Sequence, residues 1–259
     1  MKRLNVALLL GDVRDIYSNT VVKGALKAAS EQNVNLIIVP GRYYFARREE
    51  LLNQFEYQYQ TLFSYCNSEN VDVVVAFTNV VGMSAAPGLR NSFDGFYEKL
   101  KGAPLYTVSG GFPGIPNINY DNNAGLKEGI RYMIKNQKCQ RVAFVAGPED
   151  NNDSNARIEC YKDALVECGL PVDERLIIHG DFTERVRDSV VNLFRSYRDI
   201  KGVVFANDRM AIGGYEAMKI LGLRVGSDVA FLGFDNINKD VNLEPPLASV
   251  GADSEYKLR

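Results

Sequence analysis

The sequence predicts an α/β protein of two doubly wound parallel-sheet lobes with a ligand cleft between them, and three observations carry that expectation. Short apolar runs alternate with helical patterns along the 259 residues. Strand-like runs such as Val73-Val74-Val75-Ala76-Phe77 are apolar at every position, as parallel sheets covered on both faces require. A Gly- and Pro-rich stretch over 109–116 separates one alternating series from a second.

In the first series, 5–10 is a strand, 18–32 a helix, 34–39 a strand, 49–65 a long helix and 71–77 a strand. A short helix over 93–100 and a strand over 105–108 complete it. The second runs as helix 123–135, strand 141–146, helix 154–168, strand 175–179 and helix 184–197, then a βαβ unit over 201–236. Crossovers are expected at 119–122 and at 243–250, where Pro245-Pro246 suits neither a helix interior nor a central strand. The lobes are therefore drawn as 1–120 and 121–247, with 248–259 returning to the first.

Composition narrows the function. Thirty basic against thirty-two acidic residues leave a net charge of −2, so this segment has no basic footprint for phosphate backbones and is expected to make no nucleic acid contact. The apolar run over 6–10 is too short for a signal peptide or a span; no membrane contact and a cytoplasmic location are expected. Cys66, Cys139, Cys160 and Cys168 lack CxxC spacing and read as buried thiols rather than zinc ligands. With His179 the single histidine and no GxSxG, HExxH or GxxxxGK[ST] pattern, no catalytic residue, metal or cofactor is expected. Ser109-Gly110-Gly111-Phe112-Pro113-Gly114 follows a strand, but its glycine spacing is wrong for a phosphate loop, and Pro113 and Pro116 forbid the helix such a loop needs.

Binding has better material. In the βαβ unit the two parallel strands leave Asn207-Asp208 and Asp235-Asn236 side by side at their carboxyl ends, where open α/β sheets take ligands. Taken singly, Asp208 also reads as a helix cap and Asp235 as the start of a turn. Strand-end position alone nominates Asp15, Ile16, Tyr17, Tyr43, Tyr44, Thr78 and Asn79 in the first lobe, with Tyr17 and Thr78 preferred.

Asn207-Asp208-Arg209-Met210-Ala211-Ile212-Gly213, Asp228-Val229-Ala230, Gly233-Phe234-Asp235 and Pro245-Pro246-Leu247 follow one another in an order and spacing that resembles the LacI family effector-binding core. That core is similar to the type 1 periplasmic sugar-binding proteins, and the likeness extends upstream to residue 4. It implies that Arg157, in Ser154-Asn155-Ala156-Arg157, grips the effector and that Asp235 and Asn207 contact it. It also implies that Phe182 forms an aromatic wall and that Asp121 lies near both ligand and hinge. The resemblance further implies a helix and strand returning to the first lobe, so the chain reads as C-terminally truncated, 254–259 beginning that helix. No helix-turn-helix precedes residue 4. The expected protein is a small-molecule sensing domain, sugar-like or other metabolite, of a bacterial LacI-type regulator or of a signalling protein with a C-terminal output such as GGDEF. The alternative is the solute-binding protein of a sugar transporter.

One helix face suggests a partner. Leu51, Leu52, Phe55, Tyr59, Leu62 and Phe63 form an apolar stripe, while Gln54, Gln58, Thr61 and Tyr65 on the opposite side are uncharged. A solvated face is normally richer in charge. Because LacI family cores dimerise near this position, a homodimer through helix 51–65 is expected.

Overall fold

The computed structural model describes residues 2–14, 16–41, 57–78, 90–119, 123–149, 151–237 and 242–251. They fold into two compact units, one within Met1–Tyr120 and the other within Asp121–Ala252, each with its own five-stranded sheet. All strand pairs within the sheets are parallel, and helices cover both faces, as the sequence predicts.

The first unit runs β1 (Asn5–Leu10), α1 (Ile16–Glu31), β2 (Asn35–Pro40), α2 (Tyr57–Gln60), β3 (Val73–Phe77), α3 (Arg90–Lys99), β4 (Leu105–Val108) and β5 (Asn117–Ile118). Its strand order is β2-β1-β3-β4-β5. Since β2 and β3 flank β1 on opposite sides, right-handed crossovers send α1 to one face and the later helices to the other. The apolar clusters follow that division. Leu8, Leu10, Phe77 and Val108 pack with Val21 of α1, whereas Ala7, Leu9, Val74 and Ala76 pack with Phe63, Phe96 and Leu100.

The second unit runs α4 (Asn123–Lys135), β6 (Val142–Ala146), α5 (Asn152–Glu167), β7 (Ile177–His179), α6 (Arg187–Ser196), β8 (Gly202–Phe205), α7 (Asp208–Leu221), β9 (Ala230–Phe234) and β10 (Ala248–Val250). Its order, β10-β9-β8-β6-β7, repeats the topology of the first sheet. On one face Tyr161 of α5 stacks on Phe144, 5.0 Å between ring centroids, and donates its hydroxyl to the Val142 carbonyl at 2.8 Å. On the other, α7 brings Gly214 so close to Phe205 and Phe231 that a Cβ there would overlap both rings.

Three expectations need correction. Residues 248–250, assigned to the return towards the first lobe, form the edge strand of the second sheet, Ala248 pairing with Leu232 and Val250 with Phe234. Leu247 is buried in the second unit's core and Tyr215 donates to the Pro245 carbonyl at 2.8 Å, which holds this segment to that unit. The long helix over 49–65 is described only from residue 57, where a single α turn, α2, tightens into a 3-10 helix over Thr61–Tyr65. With three residues per turn the predicted stripe no longer shares a face: Phe63 is buried, while Tyr59 and Leu62 are exposed. Leu51, Leu52, Gln54 and Phe55 lie outside the described residues. Finally, the first series does not end with the strand over 105–108: β5 adds a two-residue strand, its Asn117 side chain accepting from Thr107 Oγ1 at 3.0 Å.

Candidate functional site

The residues that could meet a ligand in the second unit gather where β6, β8 and β9 end. Asn151 caps α5, its side chain accepting from the Ser154 amide at 2.9 Å, and this sets the phase of the helix. One turn on, Arg157 points into the protein and is only 7% exposed. Its Nη1 donates to the carbonyl of Ala206, the residue after β8, and its guanidinium lies 3.9 Å from the ring centroid of Phe234, the last residue of β9. The arginine thus spans two strand ends.

Its electrostatics are unbalanced. A guanidinium carries five N–H donors, and among the described residues Ala206 alone accepts from this one; Nε is enclosed without a partner, and so is Ser154 Oγ three residues earlier. No carboxylate pairs with it there, although a buried cation without a counter-ion is costly. Stacking on Phe234 offsets about 2 kcal/mol of that when water is excluded.

Phe182 follows β7 and takes a left-handed backbone, φ 62°. Its ring covers Gly147, the residue after β6, closely enough that a Cβ there would overlap it. Asn207 fixes this placement: its Nδ2 donates to the Phe182 carbonyl at 3.0 Å, while its Oδ1 caps α7 by accepting from Met210 at 2.9 Å. Behind it, Arg209 grips Glu184 at 2.9 and 3.1 Å and holds that carboxyl below the usual carboxylate range. His179 lies beside Gly147, with Nδ1 3.0 Å from the Gly147 carbonyl.

Asp235 leaves β9 with φ 100° and its amide donates to the Val250 carbonyl at 2.7 Å. It is half-buried and next in the chain to the phenylalanine under Arg157. Arg157, Phe182, Asn207 and Asp235 therefore share one rim of one sheet.

Comparison with known proteins bears on the fold and the kind of protein. Residues 132–256 match the model of the periplasmic binding protein-like domain. The HTH-type transcriptional repressor CytR of Escherichia coli K12 is 29% identical over 175 residues, 66% of this chain and 51% of that protein. The HTH-type transcriptional regulator CelR of Thermobifida fusca is 27% identical over 249 residues, 92% of this chain and 65% of that one. The solved CelR–cellobiose complex superposes with a TM-score of 0.78 at 24% identity, covering 100% of this chain and 76% of that one, a likeness of fold. The chain is thus similar to the effector-binding part of LacI-family regulators. It spans about half the length of CytR and two thirds of CelR, and both are named as regulators rather than enzymes.

The first unit is less informative. Tyr17, on the first turn of α1, packs half-buried against Leu8 and Leu10. Thr78 is fully buried and its hydroxyl donates to the carbonyls of Gly110 at 2.8 Å and Val108 at 3.2 Å, latching β3 to β4. Asp15, Tyr43, Tyr44, Asn79 and Asp121 lie outside the described residues.

Sequence reasoning placed Asp208 on this rim or as a helix cap, a role Asn207 takes instead, and it passed over Ser249. Asp208 is fully buried and burial pushes its carboxyl up to about 6, against donors that pull it down. The signal for it was Gly233, where a Cβ would overlap Asp208 Oδ1.

Proposed function

We propose that the chain is the sensing domain of a LacI-type transcriptional regulator. It binds a small hydroxyl-bearing metabolite of the sugar class at the carboxyl-end rim of its second sheet and acts in the cytoplasm. The supporting observation is Arg157: a buried guanidinium with a single acceptor among the described residues recruits a further one, and a ligand hydroxyl supplies it. Asp235 accepts the hydroxyl protons, Phe182 covers an apolar sugar face, and the second amide hydrogen of Asn207 adds a donor.

The test is a thermal-shift screen of mono- and disaccharides and nucleosides, with cellobiose, the ligand named for the CelR structure, as first probe. A ligand at 100 times its Kd stabilises the fold by about 2.7 kcal/mol. Arg157→Met, which keeps the side-chain volume, and Asp235→Ala are each expected to abolish the shift while the proteins still melt cooperatively. Responses equal to the parent's in both variants would overturn this site.

We further infer a homodimer through the segment that includes 57–65. Tyr59, Leu62 and Tyr65 are exposed there, Tyr65 by 65%, and Gln58 and Thr61 beside them are exposed and uncharged. Gln58→Glu with Thr61→Lys is expected to convert a dimer to a monomer by light scattering. A variant of unchanged dimeric mass counts against this surface.

A further inference from the structure

Two consecutive non-glycine residues, Asp235 and Asn236, occupy positive φ, 100° and 54°. Such a backbone is strained for a residue with a Cβ and persists where its surroundings over-determine it. Here they do. The Asp235 amide donates to Val250, the Asn236 amide to Ser249 Oγ at 3.1 Å, and the Ile237 amide to Asp208 Oδ2 at 2.8 Å. The Ser249 hydroxyl passes its own proton on to Asp208 Oδ1 at 2.6 Å. Three successive amides are thus held, one by the β10 backbone and two by the Asp208–Ser249 pair. Two glycines clear the space: a Cβ at Gly233 would overlap Asp208 Oδ1, and one at Gly251 would overlap Asn236 Cβ.

Asp208 is not needed to cap α7, because Asn207 already does so. A buried carboxylate is also a poor structural filler, since desolvation opposes its charge. Its bonds go instead to the segment that carries Asp235.

We propose that Asp208, relayed by Ser249, is a positioning residue for ligand recognition: it clamps the Asp235–Ile237 turn in the left-handed backbone that presents the Asp235 carboxylate. This rests on the reading of Asp235 as a ligand contact. Asp208 itself, enclosed by Ser249 and the amides of the turn, does not touch the ligand.

The test uses Ser249→Ala, which removes the relay without altering either carboxylate, with Asp208→Asn as a second variant. By NMR, amide exchange at Asn236 and Ile237 is expected to speed up and the Asp235 13C shifts to move in the ligand-free protein. By calorimetry, cellobiose is expected to bind about tenfold more weakly to Ser249→Ala than to the parent. In an Asp235→Asn background, Ser249→Ala is expected to add no further loss, a coupling that a general loss of stability would not produce. Unchanged exchange and shifts in Ser249→Ala, or losses that add in full, would overturn the clamp. If Asp235→Asn itself leaves cellobiose binding intact, the contact reading fails and the clamp with it. If the parent takes no cellobiose, the choice of sugar fails and the NMR arm alone decides the clamp.

Discussion

At the scale of single residues, Asp208 makes a signed prediction. Its carboxyl rises from 3.8 to about 6 on folding, because burial outweighs the hydrogen bonds from Ser249 and from the amides of Ile237, Phe234 and Asn236. The native state therefore holds this proton more tightly than the unfolded chain. The stability so gained is full below the unfolded pKa and is lost as pH rises through about 6. Salt-bridged carboxylates such as Glu184, Asp173 and Glu167 act in the opposite sense, but all three are at least partly solvated and contribute little. Urea unfolding of the parent and of Asp208→Asn across this range separates the two. Relative to the variant, the parent should gain about 2 kcal/mol between pH 7 and pH 4. A constant gap between the two proteins would show that Asp208 does not titrate in this way.

At the scale of elements, α7 shows what a sequence can and cannot disclose. Its limits were legible to within a residue because both carry local chemistry: the cap read at Asp208 is Asn207, and Gly222 ends the helix at φ 68°, a left-handed stop. What lies between was not. Gly213 and Gly214 look like weak points in a helix, yet a Cβ at Gly213 would overlap the Glu184 carbonyl and one at Gly214 the Phe205 ring. Alanine at Gly214 gains about 1 kcal/mol of helix propensity but overpacks the sheet, at about 1–3 kcal/mol. Gly214→Ala is therefore expected to lower the urea midpoint, whereas a raised midpoint would mean that α7 can shift outward freely. The 3-10 turns at Glu174–Leu176 and Glu184–Val186 escaped prediction for a related reason. Each is a cap, by Asp173 and Thr183, inserted ahead of a strand or helix whose apolar period simply runs on. Resemblance alone nominated Arg157, Phe182 and Asp235 for the candidate site; the hydrogen bonds that fix the backbone of Phe182 and of the Asp235 turn span 13 to 29 residues of chain and leave no local trace.

At the scale of the whole molecule, the repeat of one strand order in both units was foreshadowed by the two alternating series, while the division between them was misjudged at β10. Three residues, Ala248-Ser249-Val250, are too few to announce which sheet they join; Leu247, buried beside them, decides it. That placement has a consequence for folding. Among the described residues, the second unit's buried apolar core runs from Leu126 to Leu247, and the first unit's two buried clusters end at Phe112. With β10 counted in, the second unit has five paired strands, with α4 and α5 on one face and α7 on the other. A domain of this size buries about two thirds of the surface its unfolded chain exposes. Residues 121–252 expressed alone are therefore expected to unfold in one sigmoidal urea transition with near-UV dichroism retained beforehand. The same fragment stopped at residue 247 loses β10, exposes the edge of β9 and frees Asp208 from Ser249, so its midpoint should fall or its transition broaden. Identical curves for the two fragments would return 248–250 to the first unit.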